Sequence, residues 1–102
     1  MMILSYVTCK DEEEAKNISK TLLEKKLIAC ANYFPIKSMY RWEGKVNDGK
    51  EIVLLLKTLE EKFEEIKKEI KKIHSYDNPC IIQLDVKQAN EEFLEWIKKE
   101  IK

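Results

Sequence analysis

The chain has 102 residues, enough for one domain near the modal size and too few for separate binding and catalytic domains. Hydrophobic residues make up 44% and charged residues 37%, which excludes a disordered chain, and no apolar run approaches the ~18–20 residues of a membrane span. Lys plus Arg is 19 and Asp plus Glu is 19, so the net charge is zero, and the basic excess that marks a nucleic-acid binder is missing.

Residues 2–8 alternate, with Ile3, Ser5 and Val7 on one side and Leu4, Tyr6 and Thr8 on the other, which predicts a short strand. Asp11 and Glu14 stand in capping-box spacing, and Ala15, Ile18, Leu22 and Leu23 follow at helical intervals, so a helix is expected over about 11–26. Residues 29–46 are β-forming with one interruption at Pro35, which marks an edge or a bend and not the end of the strand. Asn47-Asp48-Gly49 reads as a hairpin turn, and the return strand is expected from Glu51 to Lys57. Its run Ile52-Val53-Leu54-Leu55-Leu56 has no polar alternation, the pattern of a strand buried on both faces. Thr58 and Glu61 suggest a second capping box opening a helix over about 59–73, with Phe63, Ile66, Ile70 and Ile73 on its apolar face. A loop, His74 to Pro79, leads to a strand over 80–86, and Asn90 is placed to cap a closing helix that carries Phe93, Leu94, Ile97 and Ile101.

This order predicts an α+β fold: a ferredoxin-like β-α-β-β-α-β sandwich with an additional C-terminal helix, in a single domain spanning 1–102. Two helices cover one face of the sheet. The other carries Leu4, Val53 and Leu55, too apolar for water, and oligomerisation is the economical way to cover it.

The opening Met1-Met2-Ile3-Leu4 has no positive flank and is not read as a signal peptide, so a cytoplasmic protein is expected. Of the 19 basic residues only Arg41 is Arg, and Gly and Pro number two each; Lys/Glu enrichment with few loop-formers fits a thermophile, and the Lys-for-Arg bias fits an AT-rich genome equally. Cys9, Cys30 and Cys80 are odd in number and widely spaced, which excludes a disulfide framework, and with His74 as the one histidine no zinc knuckle can form. No Gly-rich phosphate loop exists and nothing marks a nucleophile, so the chain is not expected to be an enzyme.

Hydrogen-bonding groups concentrate in His74-Ser75-Tyr76-Asp77-Asn78-Pro79, read either as a helix-ending turn or as a polar pocket lined by His74, Tyr76 and Asp77. Tyr40-Arg41-Trp42-Glu43-Gly44-Lys45 is the second cluster, an aromatic stripe suited to core, interface or ligand. Lys57 ends a buried strand, where its charge needs a partner, and Asp85 reads as an interface or structural hydrogen-bonding group and not an acid catalyst.

Leu27-Ile28-Ala29-Cys30-Ala31-Asn32, Tyr40-Arg41-Trp42-Glu43-Gly44-Lys45, Leu56-Lys57-Thr58 and His74-Ser75-Tyr76-Asp77-Asn78-Pro79 together resemble the divalent-cation tolerance (CutA) family, as does the closing stretch from Asn90 to Trp96. The resemblance covers essentially the whole chain, in order. It implies a homotrimer of ferredoxin-like subunits whose long second strand and hairpin partner reach to neighbouring subunits, with a role in tolerance to metal ions, notably copper, and no established catalysis. Bacterial members for which copper binding is proposed carry a Cys in the first strand and a His-His pair before the Tyr; here Val7 stands at the first position, with Cys9 two residues on, and the pair is reduced to Ile73-His74.

Two readings result. In the first, the chain is a metal-responsive trimer with no obligatory cofactor, taking copper or another divalent cation on Cys30, His74 and Cys9, more weakly than a dedicated three-ligand site would. In the second, it is a PII-like signalling or interaction module that binds a small anionic ligand in an intersubunit cleft lined by Tyr40, Trp42, Glu43, Lys57, His74 and Tyr76. Neither nucleic acid nor membrane is a partner in either.

Overall fold

In the computed structural model, which describes residues 1–102, the alternating segment at the start of the chain forms strand β1 (Met2–Cys9). Helix α1 (Glu12–Glu24) follows; the Asp11 carboxylate accepts the Glu14 N–H at 2.8 Å and so satisfies one of the free donors of the first turn. Strands β2 (Cys30–Trp42) and β3 (Lys45–Leu59), helix α2 (Phe63–Ile73), strand β4 (Ile81–Asp85) and helix α3 (Glu91–Glu100) complete the chain. The four strands pair antiparallel in the order β2-β3-β1-β4, the α+β, ferredoxin-like arrangement expected from the element order. Pro35 lies within β2 opposite Ile52, and the strand runs through it; β2 is an edge strand, where a missing donor is tolerated.

Two cores form, one on each face of the sheet. Val7, Cys9, Leu54 and Leu56 pack under α1 and α2 with Ala15, Ile18, Leu22, Ile66 and Ile70. On the opposite face α3 brings Ile97 and Ile101 onto Met2, Ala29 and Leu59, with Leu4 and Phe93 at the margin. The closing helix thus covers part of the face that sequence reasoning left entirely to other copies. Beyond α3 an apolar strip stays open, with Phe34, Ile82 and Leu84 all exposed by more than 40%. The run Ile52–Leu56 is less uniformly buried than expected: Val53, Leu54 and Leu56 are buried, Ile52 and Leu55 only partly.

Three local expectations are corrected. The hairpin turn is Glu43-Gly44, not Asn47-Asp48-Gly49. Both turn residues have positive φ, 51° and 77°, as a two-residue loop matched to the strand twist requires. Asn47 and Gly49 lie inside β3, opposite Tyr40 and Ser38, and the Asn47 amide braces the turn by donating to the carbonyls of Lys45 and Trp42 at 3.3 and 3.4 Å. Thr58 does not cap a helix either. It is a ladder residue opposite Ile3, fully buried, and its hydroxyl donates to the Leu27 carbonyl at 2.6 Å. Helix α2 instead begins after a short 3-10 turn, Glu60–Lys62, with no side-chain cap, and Asn90 precedes α3 without a capping side-chain bond.

The earlier turn lengthens the hairpin. Pairing between β1 and β3 ends at Cys9–Ile52, while β2 and β3 stay paired out to Trp42–Lys45, so a two-stranded arm projects beyond the sheet and stretches the molecule to 45 Å in its longest dimension. Met39, Tyr40, Trp42 and Val46 on this arm are exposed.

Candidate functional site

At the root of the arm, the last residue of β1, the first turn of α1 and the end of α2 converge. The ligand atoms of Cys9, Glu14 and His74 all lie within 4.8 Å of one another. The side chain of His74 is fully buried and that of Glu14 is 7% exposed. Cys9 points down from the helix-covered face of β1 because its odd position in the strand matches Ile3 and Val7.

Each donor in this cluster is already engaged. Glu14 accepts the Lys10 N–H on Oε1 at 2.9 Å and the Ser75 N–H on Oε2 at 2.7 Å. Burial alone would raise its pKa, but these N–H donors and the nearby imidazole outweigh it and hold the carboxyl below the usual range. His74 Nε2 lies 2.8 Å from the Thr8 carbonyl, which only accepts, so Nε2 carries the proton. Nδ1 is then the acceptor, and the Tyr76 N–H fills its lone pair at 3.1 Å. The same Nδ1 is 3.8 Å from Glu14 Oε2. The Cys9 thiol is pushed up to about 12 by burial first, and then by the negative charges of Glu14, Asp11 and Glu51. It is a thiol, not a thiolate, at neutral pH.

A second carboxylate stands beside the cluster. Glu51, at the start of the arm on β3, accepts the Tyr76 hydroxyl on Oε2 at 2.8 Å and the Ser38 hydroxyl on Oε1 at 2.6 Å. Burial and this bond to Glu51 raise the Tyr76 phenol above its ordinary value. Cys80 is likewise raised, by burial and by Glu51.

Of the residues singled out from sequence, Cys9 and His74 meet here and Cys30 does not. Cys30 pairs with Lys57, five ladder steps from the Ile52 opposite Cys9, roughly 17 Å along the strand and on the other face. The six cleft candidates are dispersed within one chain. Tyr40, Trp42 and Glu43 are toward the arm tip, roughly 13 Å (Tyr40) to 20 Å (Trp42) along the strands from the Tyr76–Glu51 contact at its root. Lys57 sits farther along β3, its ammonium 5.4 Å from the Phe93 ring centroid. Asp77 is exposed, and Asp85 accepts from Gln83 at 2.7 Å.

Sequence reasoning missed Glu14 and Glu51 as members of the site. The capping-box spacing was the only signal at Glu14, and it hid the longer reach to Ser75. Nothing in the sequence marks Glu51.

Chemically the cluster offers sulfur, oxygen and nitrogen donors at metal-binding separation, a set that suits copper or another thiophilic ion. The fit is conditional. An ion must displace a thiol proton and take the Nδ1 lone pair from Tyr76.

No helix is long and apolar enough to cross a membrane. A model of the CutA1 divalent ion tolerance protein family matches residues 3–100. The divalent-cation tolerance protein CutA of Archaeoglobus fulgidus is 47% identical over 96 residues, covering 94% of each chain. That of Pyrococcus horikoshii is 46% identical over 101 residues, covering 99% of each. Among solved structures, an Archaeoglobus fulgidus protein described as a periplasmic divalent cation tolerance protein superimposes with a TM-score of 0.99 at 45% identity over the whole of both chains.

Proposed function

The chain belongs to the CutA1 divalent ion tolerance family, and from that premise we propose that it is a metal-responsive binding protein that takes copper, or a kindred thiophilic cation, at Cys9, Glu14 and His74. The observation that carries this reading is the convergence of three different donor atoms within 4.8 Å in a buried setting. The chain's own bonds set the terms of uptake. The Cys9 proton must leave and the Tyr76 N–H must be displaced, so affinity falls as pH falls, and the centre is weaker than one whose donors wait free. Such a centre fills only when the cation is abundant, which suits tolerance to excess better than storage of a scarce nutrient. The reading assigns no reaction to the site: the thiol is protonated and both nitrogens of the histidine beside it are occupied, so no activated nucleophile is in place.

The working unit in this reading is a homotrimer. The open strip of Phe34, Ile82 and Leu84 and the apolar residues of the arm support association with further copies of the chain. The cytoplasm is the proposed compartment, where three free cysteines stay reduced. The anionic-ligand reading has less support, because the family that the chain belongs to is described by divalent ion tolerance.

Anaerobic titration of Cu(I) against a chromophoric chelator tests the assignment. One ion per chain is expected, with Cys9→Ala and His74→Gln each weakening binding at least about tenfold and Cys30→Ser leaving it unchanged. Full-strength binding in Cys9→Ala, or loss in Cys30→Ser, would refute it.

A further inference from the structure

The loop that follows α2 is fastened at both ends of one residue. The Tyr76 N–H donates to His74 Nδ1 at 3.1 Å, and its ring stands tilted over the imidazole with centroids 4.8 Å apart. Its hydroxyl reaches Glu51 at 2.8 Å, and Glu51 in turn holds Ser38 across the arm. Ser38 is on β2 and Glu51 on β3, just beyond the last β1–β3 pair, where the arm leaves the four-stranded sheet. A continuous chain of contacts therefore runs from the Cys9–Glu14–His74 cluster to the root of the arm.

His74 Nδ1 has one lone pair. It is the nitrogen that faces Glu14, at 3.8 Å, and, with the Nε2 proton held on the Thr8 carbonyl, the one that has a lone pair to offer an ion in the cluster. Ligation and the Tyr76 N–H bond exclude one another. The neighbouring Ser75 N–H is bonded to Glu14 Oε2, a second candidate ligand atom, so both amides of this turn lean on the atoms that an ion would claim.

We propose that Tyr76 couples cation occupancy to the β2–β3 arm: filling the cluster displaces the Tyr76 backbone, draws its hydroxyl off Glu51, and loosens the Ser38–Glu51 contact at the arm root. This rests on the metal reading above. Tyr76 is a positioning residue in this scheme and does not touch the ion. Because the arm carries Met39, Tyr40, Trp42 and Val46, exposed in a single chain, the device lets the cation alter how the chain presents those side chains to neighbouring copies in the proposed trimer.

Coupling is reciprocal, so whatever frees Tyr76 from Glu51 must favour the ion. Tyr76→Phe removes the hydroxyl and keeps the ring. It is expected to bind Cu(I) roughly three- to tenfold more tightly than the wild type, the worth of one hydrogen bond no longer broken on uptake. Amide hydrogen exchange supplies the second readout. In the wild type, saturating Cu(I) is expected to speed exchange at Ser75, Tyr76 and the arm root. In Tyr76→Phe the arm root is fast with or without the ion. Glu51→Gln keeps an oxygen acceptor for the Tyr76 hydroxyl and is expected to retain the ion-dependent change. Unchanged or weaker Cu(I) binding in Tyr76→Phe overturns the coupling, as does wild-type protein that binds Cu(I) through Cys9 with no change in arm exchange; either leaves the metal assignment standing. Wild-type protein that binds no Cu(I) through Cys9 overturns both. A tyrosine that served only packing would cost stability on substitution and gain no affinity.

Discussion

Glu14 shows how one side chain can serve a helix, a loop and a site. Its backbone N–H is capped by Asp11, while its carboxylate accepts the N–H of Lys10 and, 61 positions along the chain, that of Ser75. The folded protein therefore holds this carboxyl below its ordinary pKa, against the opposing effect of burial. Since the folded-state value lies below the unfolded one, the unfolded chain binds the proton more readily. The stabilisation is fully present above the unfolded carboxylate range, near pH 4.3, and is lost as pH falls through the lower folded value. Glu14→Gln is expected to cost about 1–3 kcal/mol at pH 7, read by urea unfolding, with the gap to wild type shrinking below about pH 4. A gap independent of pH would show that the carboxylate charge is not what the two N–H groups hold. Ser5 makes the opposite case. Its hydroxyl is buried without a partner, a polar atom that the core tolerates but does not use.

Elements differed in how plainly the sequence announced them. Alternation in β1, the spacing of Ile66 and Ile70 in α2, and the Asp11 cap of α1 all translated directly, because each depends on neighbours within a few residues. The turn misled because Asn47-Asp48-Gly49 has the composition of a hairpin loop, whereas the ladder is closed by Glu43-Gly44, with a non-glycine residue at φ 51°. Only the pairing of Trp42 with Lys45 decides between them, and pairing is a property of two strands, not of one tripeptide. Thr58 misled in the same way. Its spacing to Glu61 was right for a cap, but β3 extends through Leu59, and the buried hydroxyl answers Leu27 instead. The site was half legible. Cys9 and His74 stood out as rare ligand types, and the displacement of Cys9 from Val7 was visible. That Glu14 would join them, and that Cys30 would lie on the opposite face, depends on strand parity and on the packing of α1 against the loop after α2.

Across the whole molecule, the same sheet that buries a core under α1 and α2 leaves its second face only partly covered by α3. Phe34, Ile82 and Leu84 remain in water in a single chain, beside an arm whose two strands pair only with each other beyond its root. Association should remove this surface, and the subunit mass of 12.1 kDa makes the outcome easy to read. Multi-angle light scattering at micromolar concentration is expected to return about three times that mass, and the single-chain value would refute the trimer. The proposed ion centre draws its donors from one chain, so its geometry does not wait on assembly, although its proposed consequence reaches the arm through Tyr76. The most direct test of the centre is anomalous diffraction at the copper edge from crystals grown anaerobically with Cu(I). The account predicts a peak between Cys9 Sγ, the Glu14 carboxylate and His74 Nδ1, with the Tyr76 N–H turned away from the ring. A peak at Cys30, or between the arms of different copies, with the Tyr76–His74 bond intact, would contradict it.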